Sequence, residues 1–254
     1  MHPSLAIIPS RWGSTRFPGK ALVDLLGEPM VVWCARAAVD AMGRGEVFVA
    51  TDDARVARAI QEAGLTAVMT PSMLRTGSDR VAWAYEWLQR QGWVNRRCRW
   101  VLNIQGDQPL LDPEDVRALT SATEFAPDDA ELVTIVREAC DQDFTERKIV
   151  KAFCRSDGRI VGFFRDLSRC ALPSSGSVRV HVGLYAFREA ALHRFARLPT
   201  DSSEDREGLE QLRALAAGMR IYAVARQGQR EHLALDTPED VGAVLRALRA
   251  STVR

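Results

Sequence analysis

The sequence predicts an α/β protein in which a mainly parallel, doubly wound sheet lies between helices. Short apolar segments alternate with segments of helical periodicity through residues 1–136. A polar or glycine-containing turn follows several of these apolar segments, and the same alternation returns after residue 181. This rhythm is typical of parallel strands joined by right-handed helical crossovers.

The first half supplies most of the predicted elements. Its apolar segments are short enough for buried strands, at residues 5–8, 47–50, 67–69 and 100–104. Apolar residues at helical spacing predict helices over residues 30–42, 55–63 and 78–91. A fourth helix is expected from Asp112 and Pro113, since aspartate is a good N-cap and proline is favoured at the first helical position.

The rhythm changes near residue 132, where extended segments follow one another at residues 132–136, 149–154, 159–164 and 179–187. We therefore expect an α/β domain formed by residues 1–136 and 181–254, with an inserted β-rich section at residues 137–180. The final part predicts a helix over residues 207–217, a strand over 221–225 and a helix from Thr237 and Pro238 to about residue 250.

Composition excludes several classes of protein. The chain is 46% hydrophobic and 26% charged, which is typical of a folded domain and argues against disorder. Its net charge of +1, without a basic stripe, argues against nucleic-acid binding. The five cysteines contain no C-x-x-C pair, so neither a disulfide framework nor a zinc site is indicated. No apolar run is long enough for membrane insertion, and we expect a cytoplasmic protein.

A basic, glycine-containing loop directly follows the first predicted strand. It contains two glycines and three cations, at Gly13, Gly19, Arg11, Arg16 and Lys20. Glycine allows backbone N–H groups to approach phosphates closely, and cations offset the charge of a triphosphate. A surface loop that is merely basic remains the alternative for this segment alone.

The loop differs from the P-loop motif G-x-x-x-x-G-K-[ST]. Five residues separate its glycines, Pro18 is one of them, and Ala21 rather than Ser or Thr follows Lys20. We therefore expect the loop to bind phosphates in the manner of a nucleotidyltransferase rather than of a hydrolysing NTPase.

Acidic turns follow other predicted strands or extended segments, at residues 51–53, 105–107 and 236–237. In an open α/β sheet, ligands bind beyond the carboxyl ends of the strands, so these turns and the basic loop should meet at one crevice. Asp107 and Asp236 could hold Mg²⁺, which prefers one or two carboxylates plus water and substrate phosphates. Taken alone, Asp107 could equally cap a turn, and Asp236 is more typical of a residue beside a helix cap.

Three other segments are weaker candidates. Residues 75–80 (RTGSDR) could contact a base or ribose, or could form a loop and helix cap at Ser78. His181 shares a strand face with Gly183 and Tyr185, although a lone strand histidine is usually structural. Residues 210–211 lie beside an apolar helical stripe, and nothing in their spacing singles them out.

Taken together, these segments resemble the 3-deoxy-D-manno-octulosonate (Kdo) cytidylyltransferases, nearly from end to end. The similarity is carried by IIPSRWGSTRFPGKAL, VATDDARVARA, RTGSDR, NIQGDQPLL, HVGLYAF, GLEQLRAL and LDTPEDV, in the family's order and at about its spacing. The resemblance implies a Rossmann-like three-layer α/β/α nucleotidyltransferase fold with a smaller β-rich dimerisation section. It also implies a homodimer that uses Mg²⁺ to transfer CMP from CTP to a 2-keto-3-deoxy sugar acid, releasing pyrophosphate.

The resemblance implies roles for individual residues. Arg11 and Lys20 would hold the triphosphate, with Ser14 and Thr15 in the same loop. Thr76, Ser78, Arg80 and Gln105 would seat the cytidine. Asp107 and Asp236 would bind the metal and, with Arg11 and Lys20, form the catalytic set. The acceptor would face Arg169, His181, Tyr185, Glu210 and Gln211.

Departures from the family pattern fall on the acceptor side. Gln108 replaces the usual glutamate after the metal aspartate, Arg165 is an extra basic residue, and SSGSVRVH and SSEDREG differ from the usual segments. Kdo is the expected acceptor, and 8-amino-Kdo or a small phosphonate such as phosphonoformate are the alternatives. A CTP-binding paralogue without catalysis is a further alternative, against which both metal carboxylates and the basic loop argue.

Overall fold

The computed structural model describes residues 4–94, 98–167, 174–228 and 233–252, and a nine-stranded sheet runs through it. The strands of the described residues are β1 (Ser4–Pro9), β2 (Asp24–Leu25), β3 (Glu28–Pro29), β4 (Val47–Thr51), β5 (Thr66–Met69), β6 (Trp100–Asn103), β7 (Leu132–Glu138), β8 (Lys151–Cys154), β9 (Arg159–Phe164), β10 (Ser177–Arg188) and β11 (Ile221–Ala225). β2 and β3 form a separate two-stranded sheet.

The helices of the same residues are α1 (Met30–Met42), α2 (Ala54–Glu62), α3 (Gly77–Arg90), α4 (Pro113–Phe125), α5 (Asp141–Thr145), α6 (Glu189–Arg197), α7 (Ser202–Glu207), α8 (Gln211–Ala216) and α9 (Asp240–Thr252). Short 3₁₀ turns cover Lys20–Leu22 and Arg44–Glu46. None of the helices in the described ranges combines the length and apolar character that a bilayer span needs.

The large sheet has the order β5-β4-β1-β6-β10-β7-β11-β9-β8. β5, β4, β1 and β6 are all parallel, as expected. The expectation of a mainly parallel sheet is wrong for the other half, because β10 enters antiparallel between β6 and β7 and β9 pairs antiparallel with β11. The sheet is therefore parallel from β5 to β6, the strands that the basic loop and the first two acidic turns follow, and it is mixed from β10 onwards.

Alternation along β1 places apolar side chains on both faces of the sheet. Leu5 and Ile7 belong to a core beneath α3 and α6, whereas Ala6 and Ile8 belong to a core beneath α1, α2 and α4. Burial on both faces explains why this strand is a continuous apolar run in sequence. The two cores confirm the three-layer α/β/α fold.

A third, smaller core fixes the position of the C-terminal helix. Val244 and Leu248 of α9 pack with Met30 of α1, Leu110 and Leu235. Because Leu235 directly precedes Asp236, this packing brings the last acidic turn to the strand ends at which β6 finishes.

The predicted β-rich section continues the main sheet. β8 pairs with β9 and with the first part of β10, and β9 pairs with β11. The expected boundary between residues 180 and 181 falls within β10, which runs unbroken from Ser177 to Arg188. Dimerisation through this section stays a prediction.

Several local predictions need correction. Residues 207–217 form parts of two helices, because Gly208 has a positive φ of 62° and ends α7. α9 begins at Asp240 rather than after Thr237, since the Asp240 carboxylate accepts bonds from the backbone N–H groups of Asp236 and Thr237. The sequence prediction also missed α6, although Ala191, Leu192 and Phe195 lie at helical spacing and are buried.

Candidate active site

A cavity of about 610 Å³ opens beyond the carboxyl ends of β1 and β6. We call residues 9–20, 105–107 and 234–236 the loop wall, and residues 75–80 and 204–213 the helix wall. Side chains of both walls and of β10 line the cavity. The predicted crevice is therefore present, and the lining includes these candidates: Arg11, Ser14, Thr15, Lys20, Thr76, Arg80, Gln105, Asp107, His181, Tyr185, Glu210, Gln211 and Asp236.

Lys20 joins the two distant aspartates. Its Nζ donates to Asp107 Oδ2 at 2.8 Å and to Asp236 Oδ1 at 3.1 Å, and also to the Leu235 carbonyl at 2.9 Å. Arg16 forms a second ion pair with Asp236 at 3.0 Å. Burial opposes the charge of Lys20, but Asp107 and Asp236 outweigh it and raise the lysine's pKa above its ordinary value. The ammonium is therefore charged and bridges both carboxylates.

The two acidic turns are also held by backbone bonds. The Leu235 N–H donates to the Asp107 carbonyl at 2.8 Å, and the Asp236 N–H donates to the Asp240 carboxylate at 3.0 Å. Gly106 passes so close to Pro9 that an added Cβ would lie 2.7 Å from the Pro9 carbonyl oxygen. This close backbone packing sets where the Asp107 carboxylate stands.

The carboxylates of Asp107 and Asp236 are hard oxygen ligands of the kind that Mg²⁺ prefers. Their side chains are 31% and 26% exposed, so both reach the cavity. Within the described ranges, no group of three or more His, Cys, Asp or Glu side chains could hold a metal ion. A site with two protein carboxylates fits a metal whose other ligands are water and phosphate oxygens.

Trp12 organises the basic loop from inside. Its carbonyl accepts bonds from the N–H groups of Ser14 at 2.9 Å and Gly19 at 3.0 Å, and its own N–H donates to Asp52 Oδ1 at 3.0 Å. Gly19 has φ 74° and lies against the indole ring, where an added Cβ would be 2.8 Å from Trp12. The Arg55 guanidinium stacks 3.5 Å from the ring centroid on the same indole. Glycine at position 19 is thus required by both conformation and space.

Arg11 lies at the cavity edge of this loop and makes no hydrogen bond or ion pair with the described residues. Ser14 and Thr15 line the cavity beside it. The loop therefore presents one unpaired guanidinium and two hydroxyls to a ligand, behind which Lys20 and Arg16 are already paired with carboxylates.

Asp52 connects the loop to Arg80, whereas the sequence places the turn at residues 51–53 near the crevice without indicating this contact. Arg80 is 2% exposed, and its Nη2 donates to Asp52 Oδ2 at 3.0 Å while Nη1 donates to Thr70. Burial and the nearby charge of Arg11 lower the pKa of Arg80, and Asp52 counteracts both. Asp52 thereby holds one edge of the helix wall against the loop wall.

The N-terminus of α3 is closed by side chains rather than left to a ligand. Thr76 and Asp79 form a reciprocal capping box. The Glu210 carboxylate accepts from the Ser78 N–H at 3.0 Å and from its hydroxyl at 2.8 Å. Ser78 is 1% exposed and does not line the cavity, and its hydroxyl also accepts from Asn103. The hydrogen bonds between Ser78 and Glu210 therefore join α3 to the start of α8.

Burial raises the pKa of Glu210, and the hydrogen bonds from Ser78 and Thr76 work in the opposite direction. Near it, Arg213 makes a two-point ion pair with Glu204, at 2.9 and 2.7 Å, and a bond to Asp79 at 2.9 Å. Arg213 and Glu204 are nearly buried, and the sequence prediction had named neither. A buried charge network of this kind cannot be read from spacing, because its partners come from three separate helices.

A bulge in β10 sets the positions of two acceptor candidates, His181 and Tyr185. The register of β10 against β7 shifts between His181 and Tyr185, and Gly183 between them has φ 87°. His181 Nε2 lies 3.0 Å from the Thr134 hydroxyl, which donates its single proton to the Leu184 carbonyl. Nε2 must therefore carry the proton of that contact. Gln108 fastens the same bulge, because its amide donates to the Val182 carbonyl at 2.9 Å.

Tyr185 and Gln211 present polar groups to the cavity. Both side chains are at least 95% buried, and within the described residues neither the Tyr185 hydroxyl nor the Gln211 amide has a hydrogen-bond partner. Burial, with a smaller effect from Glu210, raises the pKa of Tyr185 well above its ordinary value. These are the groups of the acceptor set that remain available to a ligand.

Arg165 also reaches the cavity, although most of its N–H groups are already used. They donate to backbone carbonyls of Glu207 at 2.8 Å, Arg147 at 3.2 Å and Lys148 at 3.3 Å. Arg169, the remaining acceptor candidate, lies outside the described residues.

Comparisons with known proteins agree with this geometry. A profile of the cytidylyltransferase family matches residues 5–221. A 3-deoxy-manno-octulosonate cytidylyltransferase of Rhizobium leguminosarum is 42% identical over 252 residues, covering 98% of this chain and 96% of the relative. The enzyme of that name from Afipia carboxidovorans is 41% identical over 250 residues, covering 97% of each chain.

Solved structures give the same result. A CMP:2-keto-3-deoxy-manno-octonic acid synthetase complexed with CTP superimposes with a TM-score of 0.83 at 30% identity, covering 98% of this chain and 99% of that one. A cytidylyltransferase from Leptospira borgpetersenii shares the fold alone, with a TM-score of 0.63 at 13% identity. The relatives named above that match nearly the whole chain are 3-deoxy-manno-octulosonate cytidylyltransferases, and the chain belongs to the cytidylyltransferase family.

Proposed function

We propose that this protein transfers CMP from CTP to 3-deoxy-manno-octulosonate and releases pyrophosphate. The observation that carries the proposal is the meeting of Lys20, Asp107 and Asp236 at one cavity. These residues come from the basic loop and from two acidic turns that are far apart in the chain. Full-length relatives carry the same activity in their names, and a structural relative was solved with CTP.

We propose that Asp107 and Asp236 hold Mg²⁺. When bound, the metal would neutralise charge on the α-phosphate and favour ionisation of the attacking hydroxyl. The two carboxylates would supply the ligands from turns that backbone bonds already hold in place. Removal of metal with EDTA should stop turnover, and Mg²⁺ should restore it.

The chain's own cations would stabilise the departing pyrophosphate. Arg11 and Arg16 lie on the same loop as Lys20 and reach the same cavity. Positioning and charge neutralisation supply most of the catalysis in this class of transfer, so no covalent protein nucleophile is required. The oxygen of the acceptor hydroxyl forms a bond to the α-phosphorus, its proton passes to water, and the bond between the α-phosphorus and pyrophosphate breaks.

The acceptor would lie between β10 and α8. The Tyr185 hydroxyl and the Gln211 amide are available to hydrogen-bond sugar hydroxyls there, and Arg165 places positive charge near an acidic substrate. Gln211→Ala should therefore raise the KM for the acceptor by about tenfold while the KM for CTP changes little. Equal increases in both values would contradict this assignment.

An acceptor panel tests the function itself. Pyrophosphate release should be measured with CTP and, in turn, Kdo, 8-amino-Kdo and phosphonoformate. We expect Kdo to give the highest kcat/KM. Turnover with phosphonoformate and none with Kdo would overturn the proposed acceptor, and CTP binding without release for every acceptor would overturn the enzyme assignment.

We also propose a homodimer formed through the β-rich section. Phe144 and Val161 of that section are large apolar side chains that are more than 40% exposed. Light scattering during size exclusion should give about twice the 28.2 kDa of the chain. A mass of one chain at micromolar concentration would contradict the proposal.

A further inference from the structure

Lys20 has no free proton with which to hold a phosphate in the arrangement described here. An ammonium group carries three N–H donors. All three have acceptors, namely Asp107 Oδ2, Asp236 Oδ1 and the Leu235 carbonyl, between 2.8 and 3.1 Å away. To contact a triphosphate, Lys20 must release at least one of these partners.

The charges of this cluster already balance. Asp107 and Asp236 carry two negative charges, and Lys20 and Arg16 pair with them. A divalent cation that arrived alone would have to take the carboxylates from Lys20. It would then leave a charged, largely buried ammonium beside a dication without its acceptors, which is unfavourable.

A nucleoside triphosphate removes that difficulty, because its oxygens offer Lys20 new acceptors. Lys20 is also the part of the cluster that can move. The main chain of both acidic turns is held by the backbone bonds of Leu235 and Asp236, and an aspartate carboxylate lies one carbon from the main chain, whereas the lysine has a flexible four-carbon stem.

We propose that Lys20 is a place-holding cation that couples metal binding to nucleotide binding. It occupies Asp107 and Asp236 until a divalent cation and CTP arrive together, and it then passes from the carboxylates to the triphosphate. Metal alone binds weakly, and each ligand raises the affinity of the other by the same factor, about tenfold or more. The inference rests on the proposed function for the identity of the nucleotide.

The test is a titration of the full-length protein with Mn²⁺, followed by electron paramagnetic resonance, without nucleotide. Wild-type protein should bind Mn²⁺ weakly, and Lys20→Met should bind one ion about tenfold more tightly or better. Lys20→Arg, which keeps the charge, and Lys148→Met, which removes a neighbouring charge paired with Asp240, should match wild type. Asp107→Asn added to Lys20→Met should abolish the gain.

Wild type and Lys20→Met binding Mn²⁺ equally well would overturn the proposal. If Lys20→Met does not fold, Arg16→Met serves in its place, since Arg16 is 60% exposed and pairs with the same carboxylate. It should show a smaller gain, and an unchanged affinity would overturn the proposal. Failure of the proposed function is seen separately, as absent CTP binding and absent pyrophosphate release by wild type, because the Mn²⁺ titration contains no CTP.

Discussion

The two walls of the cavity use charged side chains in different ways. On the loop wall, Lys20, Asp107 and Asp236 pair with one another at the cavity surface, where 13–31% of each side chain is exposed. On the helix wall, Arg213 and Glu204 pair with only 5–6% exposed, behind the surface. The first set can exchange its partners for a ligand, whereas the second cannot do so without leaving buried charges unpaired. We therefore expect the charged cluster of the loop wall to serve activity and the buried Arg213–Glu204 pair of the helix wall to serve stability.

The largest expected effect comes from Asp107→Asn on the loop wall. We expect kcat for pyrophosphate release to fall by about 10³-fold at saturating Mg²⁺, because the proposed metal ligand and a partner of Lys20 are lost together. The melting temperature should change little, since the side chain is at the cavity surface. Asp53→Asn is the matched control, as this cap of α2 does not line the cavity and asparagine also caps well. Normal turnover in Asp107→Asn would remove the loop wall's role in activity.

On the helix wall, Arg213→Met should instead lower the free energy of unfolding by about 3 kcal/mol, since it leaves Glu204 and Asp79 without their buried partner. Urea denaturation measures this loss. Arg75→Met removes an exposed pair with Asp205 on the same wall and should cost less than about 1 kcal/mol. Equal losses in the two variants would contradict the distinction drawn between buried and exposed charge.

A pair of glycines tests how far the loop's shape matters. Gly19→Ala introduces a Cβ 2.8 Å from the Trp12 ring at a φ of 74°, and should raise the KM for CTP by about tenfold. Gly13→Ala lies in the same loop, where an added Cβ meets nothing within 4 Å, and should leave the KM near that of wild type. Steady-state kinetics at saturating acceptor compares them, and similar values for the two variants would argue against Trp12 as the scaffold of the loop.

The smallest expected effect is on the pH dependence of stability, at an ion pair that lies outside both walls. Hydrogen bonds from Arg137, opposed by burial, hold the pKa of Asp143 well below its ordinary value of about 3.9. Because the folded-state pKa is lowered, the stabilisation is complete above the unfolded-state value and is lost as pH falls towards the folded-state value. Arg137→Met should lower the free energy of unfolding by about 1 kcal/mol at neutral pH. The variant should also lose less of that free energy than wild type as the pH falls. Arg155→Met removes an exposed pair with Asp157, and its free energy of unfolding should fall with decreasing pH as that of wild type does.

The meeting of the basic loop and the Asp107 turn could be predicted from the sequence because it depends on one general property of parallel sheets. β1 and β6 are adjacent and parallel, so their carboxyl ends must bring the basic loop and Asp107 together. Asp236 does not follow a strand of the described residues. It reaches the same crevice because apolar residues of α9 pack with Met30, Leu110 and the adjoining Leu235. The resemblance to a known family supplied the roles of individual residues, which spacing alone left open.

The helix wall could not be predicted in the same way. Glu210 and Arg213 act through Ser78 and Asp79 of a distant helix, and nothing local in GLEQLR shows those partners. The break at Gly208 was visible as a glycine, yet the apolar stripe of Leu209 and Leu212 favoured one continuous helix. The antiparallel entry of β10 was equally hidden, because strand direction is set by tertiary pairing and not by periodicity.

The most direct test of the central claim is a double-mutant cycle on Asp107→Asn and Asp236→Asn, measured as kcat/KM for pyrophosphate release from CTP and Kdo. If both aspartates serve one site around Lys20, the double variant should lose about as much activity as the more damaging single variant. Losses that multiply, as for two independent sites, would contradict the account.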